Sequence, residues 1–364
     1  MSTTPEIFYS LLIRGTDLTE SEKNDLCQLY TRQGRDAIYE MAKQKKILPF
    51  AANAFAFCGL DQPFWEEILE QYRRRNRAIL NCLNTAYSEL DRQGVTKMFV
   101  TENFGALLSA GNDIGLFASG DVDNHADPAE KEKIYKAFET LGYRRKERYS
   151  GGHLIAAEFF PPESEGLPEK FYISVDFYPL ARLKLPCFIH SEEFVDWKKL
   201  FCYENTAVKL PPADALMYIC LLHISLHSFS RAPDIRLYID LLNMSHTQVN
   251  YEKITAWCRR DHTCTRAAVA ATISNALMGT TFPELITGLS DKKEKVLALV
   301  YDKDKNSLRY EPRGFKVLRI EICCNDSGSW SGMKEILFPD KSWMKKVYGN
   351  SSFVAHLRHI RNVL

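Results

Sequence analysis

The sequence lacks the patterns that mark secreted, membrane-spanning and zinc-binding proteins. Its ten cysteines form no C-x-x-C pair and are scattered singly, except for the adjacent Cys323 and Cys324, which is typical of reduced thiols in an intracellular protein. No run of 18 apolar residues occurs, so no segment is predicted to span a membrane. Residues 1–14 show no secretory signal pattern, and the expected location is therefore the cytoplasm.

An excess of positive charge is also missing. The chain carries 47 Lys and Arg residues against 46 Asp and Glu residues, which gives a formal net charge of +1. A broad electrostatic nucleic-acid binder normally has a marked basic excess, so nucleic acid is not an expected partner, although a local basic patch stays open. A hydrophobic content of 45% and a charged content of 26% indicate a folded globular chain.

A length of 364 residues favours two or three packed units, and the sequence pattern divides the chain into three. Residues 1–94 show helical spacing of apolar residues and predict an N-terminal helical region. Residues 95–190 mix strand and helix patterns and predict an α+β core with a mixed sheet and flanking helices. Residues 191–364 are helical again and predict a C-terminal helical domain.

Within the core, the sequence predicts a strand over 97–101, a helix over 103–110 and a strand that ends in Ser-Gly-Asp121-Val-Asp123. A helix should then begin with Asp127 as N-cap and Glu130 as its partner in a capping box. Alternation predicts strands over 143–149, 153–160 and 170–178.

Three carboxylates in this region form a candidate catalytic and metal-binding site. Asp121 and Asp123 are two residues apart on a strand, so both side chains should project from one face of the sheet. Asp176 lies on the polar face of a later strand that can pair beside them. Like charges at close range repel unless a cation neutralises them, and Mg²⁺ or Mn²⁺ takes oxygen ligands. The alternative is a solvated turn, which the polar Asn124 and His125 favour.

The order of these pieces resembles the uncharacterised bacterial nucleotidyltransferases of the polymerase-β-like superfamily. The likeness covers nearly the whole chain and rests on the segments Gly120–Asp123, Leu141–Tyr143, Val175–Phe177, Leu221–His223, Arg236–Leu242 and Leu337–Pro339, together with Tyr348. It implies a polymerase-β-like core between helical regions and metal-dependent nucleotidyl transfer from a nucleoside triphosphate. The acceptor would be a sugar, a peptide, a protein or another small molecule.

The resemblance also implies a nucleotide site that includes Asn103, Ser119, Gly120 and Arg236. Two departures concern the phosphates of the nucleotide. Glu102-Asn103 stands where the family usually has Lys-Gly, and Phe117 stands where it usually has an arginine. Arg236, or an arginine from the run Arg73-Arg74-Arg75-Asn76-Arg77, is a candidate to supply the missing charge. The alternative for that run is a solvated helix face.

A second group of polar residues lies in the predicted C-terminal domain. His223 and His227 are four apart, so they share a helix face, and Asp240 is a further candidate for a metal or acceptor site. Hydrogen bonds between packed helices are the alternative. Tyr172 and Tyr178 share the face of Asp176 and are candidates for stacking a base or for packing.

Three functions therefore stay open from the sequence. The first is a nucleotidyltransferase that uses Asp121, Asp123 and Asp176. The second is a degenerate relative that binds a ligand or partner without turnover, which Glu102 supports. The third is a metal hydrolase centred on His223, His227 and Asp240.

Overall fold

The structure is a computed structural model, and it describes residues 5–150, 153–162, 166–177, 195–230, 234–309, 337–339 and 341–363. The described helices are α1 Pro5–Arg14, α2 Glu20–Gln33, α3 Arg35–Gln44, α4 Leu48–Phe57, α5 Gln62–Arg92, α6 Glu102–Ala110, α7 Lys131–Thr140, α8 Ala213–Leu226, α9 Ile239–Ser245, α10 Tyr251–Arg260, α11 Cys264–Met278, α12 Glu284–Thr287, α13 Lys293–Val300, α14 Lys341–Tyr348 and α15 Phe353–Val363. The described strands are β1 Met98–Val100, β2 Asp121–Ala126, β3 Arg144–Ser150, β4 His153–Phe160, β5 Tyr172–Asp176, β6 Phe201–Cys202, β7 Lys209–Leu210, β8 Tyr301–Asp302 and β9 Ser307–Leu308.

A five-stranded mixed sheet with the order β1-β2-β5-β4-β3 forms the centre of the α+β region. β2 and β5 run parallel, whereas the other neighbouring strands run antiparallel. The expectation of an α+β chain with a mixed sheet and helices on both sides in sequence is confirmed. The more specific assignment of this sheet to a polymerase-β-like core stays a prediction.

Two hydrophobic cores lie in the described parts of the chain. The larger one joins the N-terminal helices to the helices that follow residue 212, with Leu12, Phe55 and Leu221 fully buried. The hydroxyl of Ser10 on α1 donates a hydrogen bond to the carbonyl of Leu277 on α11, across this core. The N-terminal helices therefore pack against helices that follow residue 212.

The second core lies under the sheet, and helix α5 belongs to both cores. Trp65 and Ile68 near the start of α5 pack in the larger core, while Leu83 and Tyr87 near its end pack in the core of the sheet. With 31 residues, α5 is about 46 Å long, which lets one helix span both units. This helix fixes the position of the sheet against the helical part of the chain.

The strand that contains the two aspartates differs from the prediction. We expected a strand that ends at Asp123, whereas β2 begins at Asp121 and continues through Asn124 and His125. Both polar side chains are buried, and each has a hydrogen-bond partner on another element, while Nε2 of His125 has none among the described residues. Tyr87 donates to Asn124 Oδ1 at 2.7 Å, and the Nδ1 atom of His125 lies 2.9 Å from the carbonyl oxygen of Asp176.

The predicted capping box before α7 is also wrong. Asp127 does act as an N-cap, because its Oδ1 accepts from the backbone N–H of Ala129 at 2.9 Å. Glu130, however, ends a short 3₁₀ turn, and its carboxylate accepts from the backbone N–H groups of Thr96 and Lys97 at 2.9 and 2.8 Å. Its buried carboxylate therefore anchors the entry to β1.

Two long helices of the predicted C-terminal domain are interrupted. The pattern over 251–278 predicts one helix, but the structure has α10 and α11, separated by His262 at a positive φ of 53°. The pattern over 235–244 becomes a 3₁₀ turn, Asp234–Tyr238, followed by the short helix α9. The turn places Arg236 and α9 opposite the sheet. No helix in the described ranges is long and apolar enough to cross a membrane.

The anchoring role of Glu130 can be tested by truncation. In the Glu130→Ala variant, two partly buried backbone N–H groups lose their acceptor, so we expect the free energy of unfolding to fall by about 1–3 kcal/mol. Urea denaturation would measure this loss. Glu132→Ala, at an exposed position of the following helix α7, is the matched control and should change stability little. Equal stabilities of the two variants would contradict the assignment.

Candidate active site

The parallel register of β2 and β5 places three aspartates on one face of the sheet. Asp121 is opposite Tyr172, Asp123 is opposite Ser174 and His125 is opposite Asp176. Side chains of residues that are paired in register project from the same face, and every second residue shares that face. The structure therefore brings Asp121, Asp123 and Asp176 to one side, whereas Val122 lies on the other side in the core.

Asp121 is held by two hydroxyl groups. The hydroxyl of Ser119 donates to Asp121 Oδ1 at 2.5 Å, and the hydroxyl of Tyr172 donates to Asp121 Oδ2 at 3.0 Å. Hydroxyl donors fix the rotamer of a carboxylate and leave its negative charge in place. Tyr172 therefore orients a site carboxylate, while the other stacking candidate, Tyr178, lies outside the described residues.

Asp123 carries the least compensated charge of the three. Burial raises its pKa well above the usual range, and the charges of Asp121 and Asp176 raise it further, while Arg148 acts in the opposite direction. The carboxylate of Asp240 also raises the pKa of Asp123, so Asp240 lies near the same centre. A positive charge placed at Asp123 would relieve this repulsion.

Asp176 has a cation of its own. The Nη2 atom of Arg148, on β3, donates to Asp176 Oδ1 at 2.9 Å and to the hydroxyl of Ser174 at 3.0 Å. The backbone carbonyl of Asp176 also bonds to His125. The third predicted metal ligand is therefore on the correct face but is paired with a guanidinium.

The donor set fits a divalent cation held by two protein carboxylates. In the parts of the chain that the structure describes, no group of three or more His, Cys, Asp or Glu side chains forms a ready metal cage. Mg²⁺ rarely needs one, because it is usually bound by one or two carboxylates together with substrate phosphates. Asp121 and Asp123 supply such oxygens from adjacent outward positions of β2, and the raised pKa of Asp123 indicates charge that a cation would offset.

A cavity of about 500 Å³ opens beside Asp121. All four residues predicted to bind nucleotide line it, namely Asn103, Ser119, Gly120 and Arg236. Its other lining residues are Lys43, Lys46, Phe50, Tyr72, Arg75, Leu107, Leu116, Phe117, Ala118, Asp121, Lys170, Tyr172, Ile239, Asp240 and Asn243. Five of these residues are cationic and two are acidic, so the walls favour an anionic ligand.

Arg75 is one of the more enclosed cations of the cavity. Its Nη2 atom donates to the carbonyls of Phe117 and Ser119 at 2.6 and 3.2 Å, and its guanidinium lies 4.6 Å from the ring centroid of Tyr72. Burial lowers the pKa of Arg75. No carboxylate in the described ranges forms an ion pair with it, so its charge is available to a ligand in the cavity.

The rest of the arginine run has structural partners. Arg73 donates to Asp113 from Nε at 2.9 Å and from Nη2 at 2.5 Å. Arg74 and Arg77 are exposed and pair with glutamates of the same helix at 3.2 Å. The solvated-face interpretation therefore suits Arg74 and Arg77, while Arg75 lies in the cavity.

Glu102 is not among the residues that line the cavity. It has a positive φ of 48° at the start of α6, and its Oε2 atom lies 3.3 Å from Nδ1 of His223 on α8. The Nε2 atoms of His223 and His227 are 3.1 Å apart. One arrangement satisfies both contacts: His227 donates to His223, and His223 donates from Nδ1 to Glu102. Glu102 therefore contacts a histidine of α8, and its effect on phosphate binding stays a prediction.

These contacts also weaken the metal-hydrolase hypothesis. His223 and His227 bond to each other, and with Asp240 they do not form a metal-binding group among the described residues. Asp240 instead lines the cavity. Its side chain is 4% exposed, and burial raises its pKa to about 7. Sequence reasoning named Asp240 as a possible third ligand beside the two histidines, which share a face of the preceding helix.

The sequence analysis missed Lys43, Lys46, Lys170 and Asn243 as site residues. The lysines lie on exposed positions, and Lys43 and Lys46 are only three residues apart near the end of α3. Such a pattern is typical of any solvated helix. Their location at the cavity follows from tertiary packing, which no local signal contains.

Comparisons with protein-family models and with curated protein sequences return no match. Among solved structures, the chain is similar to MenT4, a nucleotidyltransferase toxin from Mycobacterium tuberculosis, with 11% sequence identity and a TM-score of 0.31. The similarity covers 79% of this chain and 93% of that chain.

The raised pKa of Asp240 predicts that the free energy of unfolding depends on pH. An unfolded Asp titrates near pH 3.9, so between about pH 4 and pH 7 the folded chain retains a proton that the unfolded chain has lost. Stability contributed by this group therefore falls as pH rises through that window. Between about pH 5 and pH 7.5, the free energy of unfolding should fall by about 2 kcal/mol less in Asp240→Asn than in the wild type.

Urea denaturation in the presence of EDTA would measure both pH dependences. Asp25→Asn, at an exposed position of α2, is the control and should keep the wild-type pH dependence of the free energy of unfolding. The same pH dependence in Asp240→Asn as in the wild type would contradict the raised pKa of Asp240.

Proposed function

We propose that this chain transfers a nucleotidyl group from a nucleoside triphosphate to an acceptor molecule. One observation carries the proposal: a cavity with five cationic residues opens directly beside Asp121, on the face of the sheet that also carries Asp123 and Asp176. Anionic phosphates suit the cationic walls, and carboxylates that share a face suit a cation bound to those phosphates. The volume is in the range of about 300–1,000 Å³ that is usual for small-molecule sites.

Asp121 and Asp123 would hold Mg²⁺ or Mn²⁺, with Asp176 as the third carboxylate of the site. A bound divalent cation offsets phosphate charge and lowers the pKa of an acceptor hydroxyl. The protein residues orient the reactants. Ser119 and Tyr172 hold the carboxylate of Asp121 in one orientation, so this ligand is arranged before the substrate arrives.

The reaction is a substitution at the α-phosphorus of the nucleotide. An oxygen or nitrogen atom of the acceptor forms the new bond to phosphorus, the bond between the α-phosphorus and its bridging oxygen breaks, and pyrophosphate leaves. The acceptor loses one proton in this step. Arg75, Arg236 and the lysines of the cavity stabilise the charge on the pyrophosphate.

Arg75 compensates for one of the departures from the family pattern. The family usually has an arginine where this chain has Phe117. Arg75 reaches the same loop from α5, since it bonds to the carbonyl of Phe117 and lies 6.0 Å from the centroid of that ring. A guanidinium is therefore present beside the D-x-D segment although its position in the sequence differs. Arginine suits this role because its planar fork meets phosphate oxygens in pairs.

The acceptor in this proposal is a sugar, a peptide, a protein or another small molecule. A net charge of +1 does not favour a long nucleic acid. Incubation with Mg²⁺ or Mn²⁺ and each triphosphate, followed by measurement of pyrophosphate and of the intact protein mass, tests transfer and detects self-modification. Absence of both products with every triphosphate and with mixed acceptors would count against the proposal.

A degenerate relative that binds without turnover is the second candidate. The ion pair between Arg148 and Asp176 favours it, because a cation of the protein already neutralises the third carboxylate. The Mn²⁺ affinity of the Arg148→Met variant distinguishes an enzyme from a degenerate relative. In an enzyme, this variant should bind Mn²⁺ more tightly because a competing charge is gone, whereas in a degenerate relative Mn²⁺ should still bind weakly or not at all.

The metal role of Asp123 leads to a test of stability. Without metal, Asp123→Asn should be as stable as the wild type or slightly more stable, because one of several repelling charges is removed. With Mn²⁺, the wild type should gain stability by mass action, and the variant should not. Thermal melts with and without Mn²⁺ measure both effects. An unchanged Mn²⁺-induced shift in the variant would place the ion elsewhere.

The phosphate role of Arg75 gives a matched pair of variants. Arg75→Met should weaken triphosphate binding by tenfold or more, because a charge-assisted pair to phosphate is worth about 1.5–3 kcal/mol. Arg236→Ala should act in the same direction. Arg74→Met, on the exposed face of α5, is the control and should bind like the wild type. Glu102→Lys should also bind like the wild type, because Glu102 is not part of the cavity wall. Calorimetry with Mn²⁺ would measure all four affinities.

A further inference from the structure

Helix α9 presents two buried polar side chains to the cavity. Asp240 and Asn243 are three residues apart, so they are neighbours on one face of the helix. Asp240 is 4% exposed and Asn243 is 5% exposed, and both line the cavity that also contains Asp121. The metal-binding and phosphate-binding roles proposed above use neither side chain.

Both side chains carry a buried polar atom that has no hydrogen-bond partner among the described residues. These atoms are Oδ1 of Asp240, an acceptor, and Nδ2 of Asn243, a donor. The orientation of the Asn243 amide is fixed, because its Oδ1 accepts from Nδ2 of Asn112 at 2.8 Å. Most buried polar groups in proteins are paired, so two unpaired groups on one helix face require an explanation. A ligand in the cavity that supplies both partners is such an explanation.

The chemistry of the two groups selects the ligand. The carboxylate of Asp240 offers two acceptor oxygens, and no hydrogen-bond donor to it is found in the described ranges. The amide of Asn243 offers N–H donors. The complement is a flat edge with two adjacent N–H donors and a neighbouring carbonyl. Guanine has this edge, since its N1–H and its 2-amino group lie next to O6. Adenine, cytosine and uracil each present a single donor group on the corresponding edge.

We propose that the cavity binds a guanine nucleotide, with Asp240 accepting from N1–H and the 2-amino group and Asn243 donating to O6. This inference rests on the proposed function and assigns the nucleotide that it uses. Phe50, Leu107 and Ile239 provide apolar walls for the ring.

The position of the pair relative to the phosphate-binding residues agrees with this assignment. Asp240 and Asn243 line the same cavity as Asp121 and Arg75. One nucleotide can therefore place its base at α9 and its phosphates at Asp121 and Arg75. Buried N–H donors would also stabilise the ionised form of Asp240, whose pKa is raised by burial.

Calorimetry with Mn²⁺ and a set of triphosphates tests the assignment in the full-length protein. We expect GTP to bind at least about tenfold more tightly than ATP, CTP or UTP, because the other bases leave the buried groups unpaired. ITP, which lacks the 2-amino group, should bind more weakly than GTP, since one oxygen of Asp240 loses its donor.

Two variants test the roles of the individual groups. Asp240→Asn should lose the preference for GTP and gain affinity for XTP, whose second carbonyl replaces the amino group and accepts from the new amide. Asn243→Asp should weaken GTP binding, because a carboxylate would face O6. Asp25→Asn, an exposed substitution on α2, should keep the wild-type preference.

The outcomes separate this inference from the proposed function. Equal binding of all triphosphates, or an unchanged preference in Asp240→Asn, overturns the guanine assignment and leaves nucleotidyl transfer in place. Failure of every triphosphate to bind the wild type overturns both. Binding of GTP with the expected reversal toward XTP in Asp240→Asn supports both.

Discussion

The parallel pairing of β2 with β5 is the constraint on which the candidate site depends. This register places Asp121, Asp123 and Asp176 on one face, and the repulsion between them has to be offset by their surroundings. The protein offsets it only in part, through hydroxyl donors at Asp121 and the guanidinium of Arg148 at Asp176. Asp123 keeps a raised pKa. A cation or ligand that offsets the remaining repulsion at Asp123 should therefore stabilise the folded protein.

Helices of the chain supply part of the same cavity that the sheet lines with Asp121. The cavity takes Arg75 from α5, Asn103 from α6, Asp121 from β2 and Asp240 from α9. Helix α5 holds these parts together because it packs in both hydrophobic cores. The opposite face of the sheet, with Val122 in the core, provides a rigid base for the carboxylates.

Much of the sheet could be predicted from the sequence, because alternation of apolar and polar residues is a local property. The strand His153–Phe160 has the predicted bounds, and the pairing of two carboxylates on one face follows from a spacing of two. The bounds of β2 were wrong because Asn124 and His125 find their partners on distant elements. The same limit applies to Arg75. Its neighbours in sequence form a solvated helix face, and only the packing of α5 against the loop before β2 distinguishes it.

The position of α5 in both cores has a consequence for folding. A helix shared in this way transmits the loss of one core to the other, so the two units should unfold as one cooperative system with a single transition. The cavity strengthens this coupling, because its walls come from elements anchored in different cores. A ligand that bridges them restrains opening of both, and its effect should extend to slow amide exchange in Trp65 and Leu83, far from any direct contact.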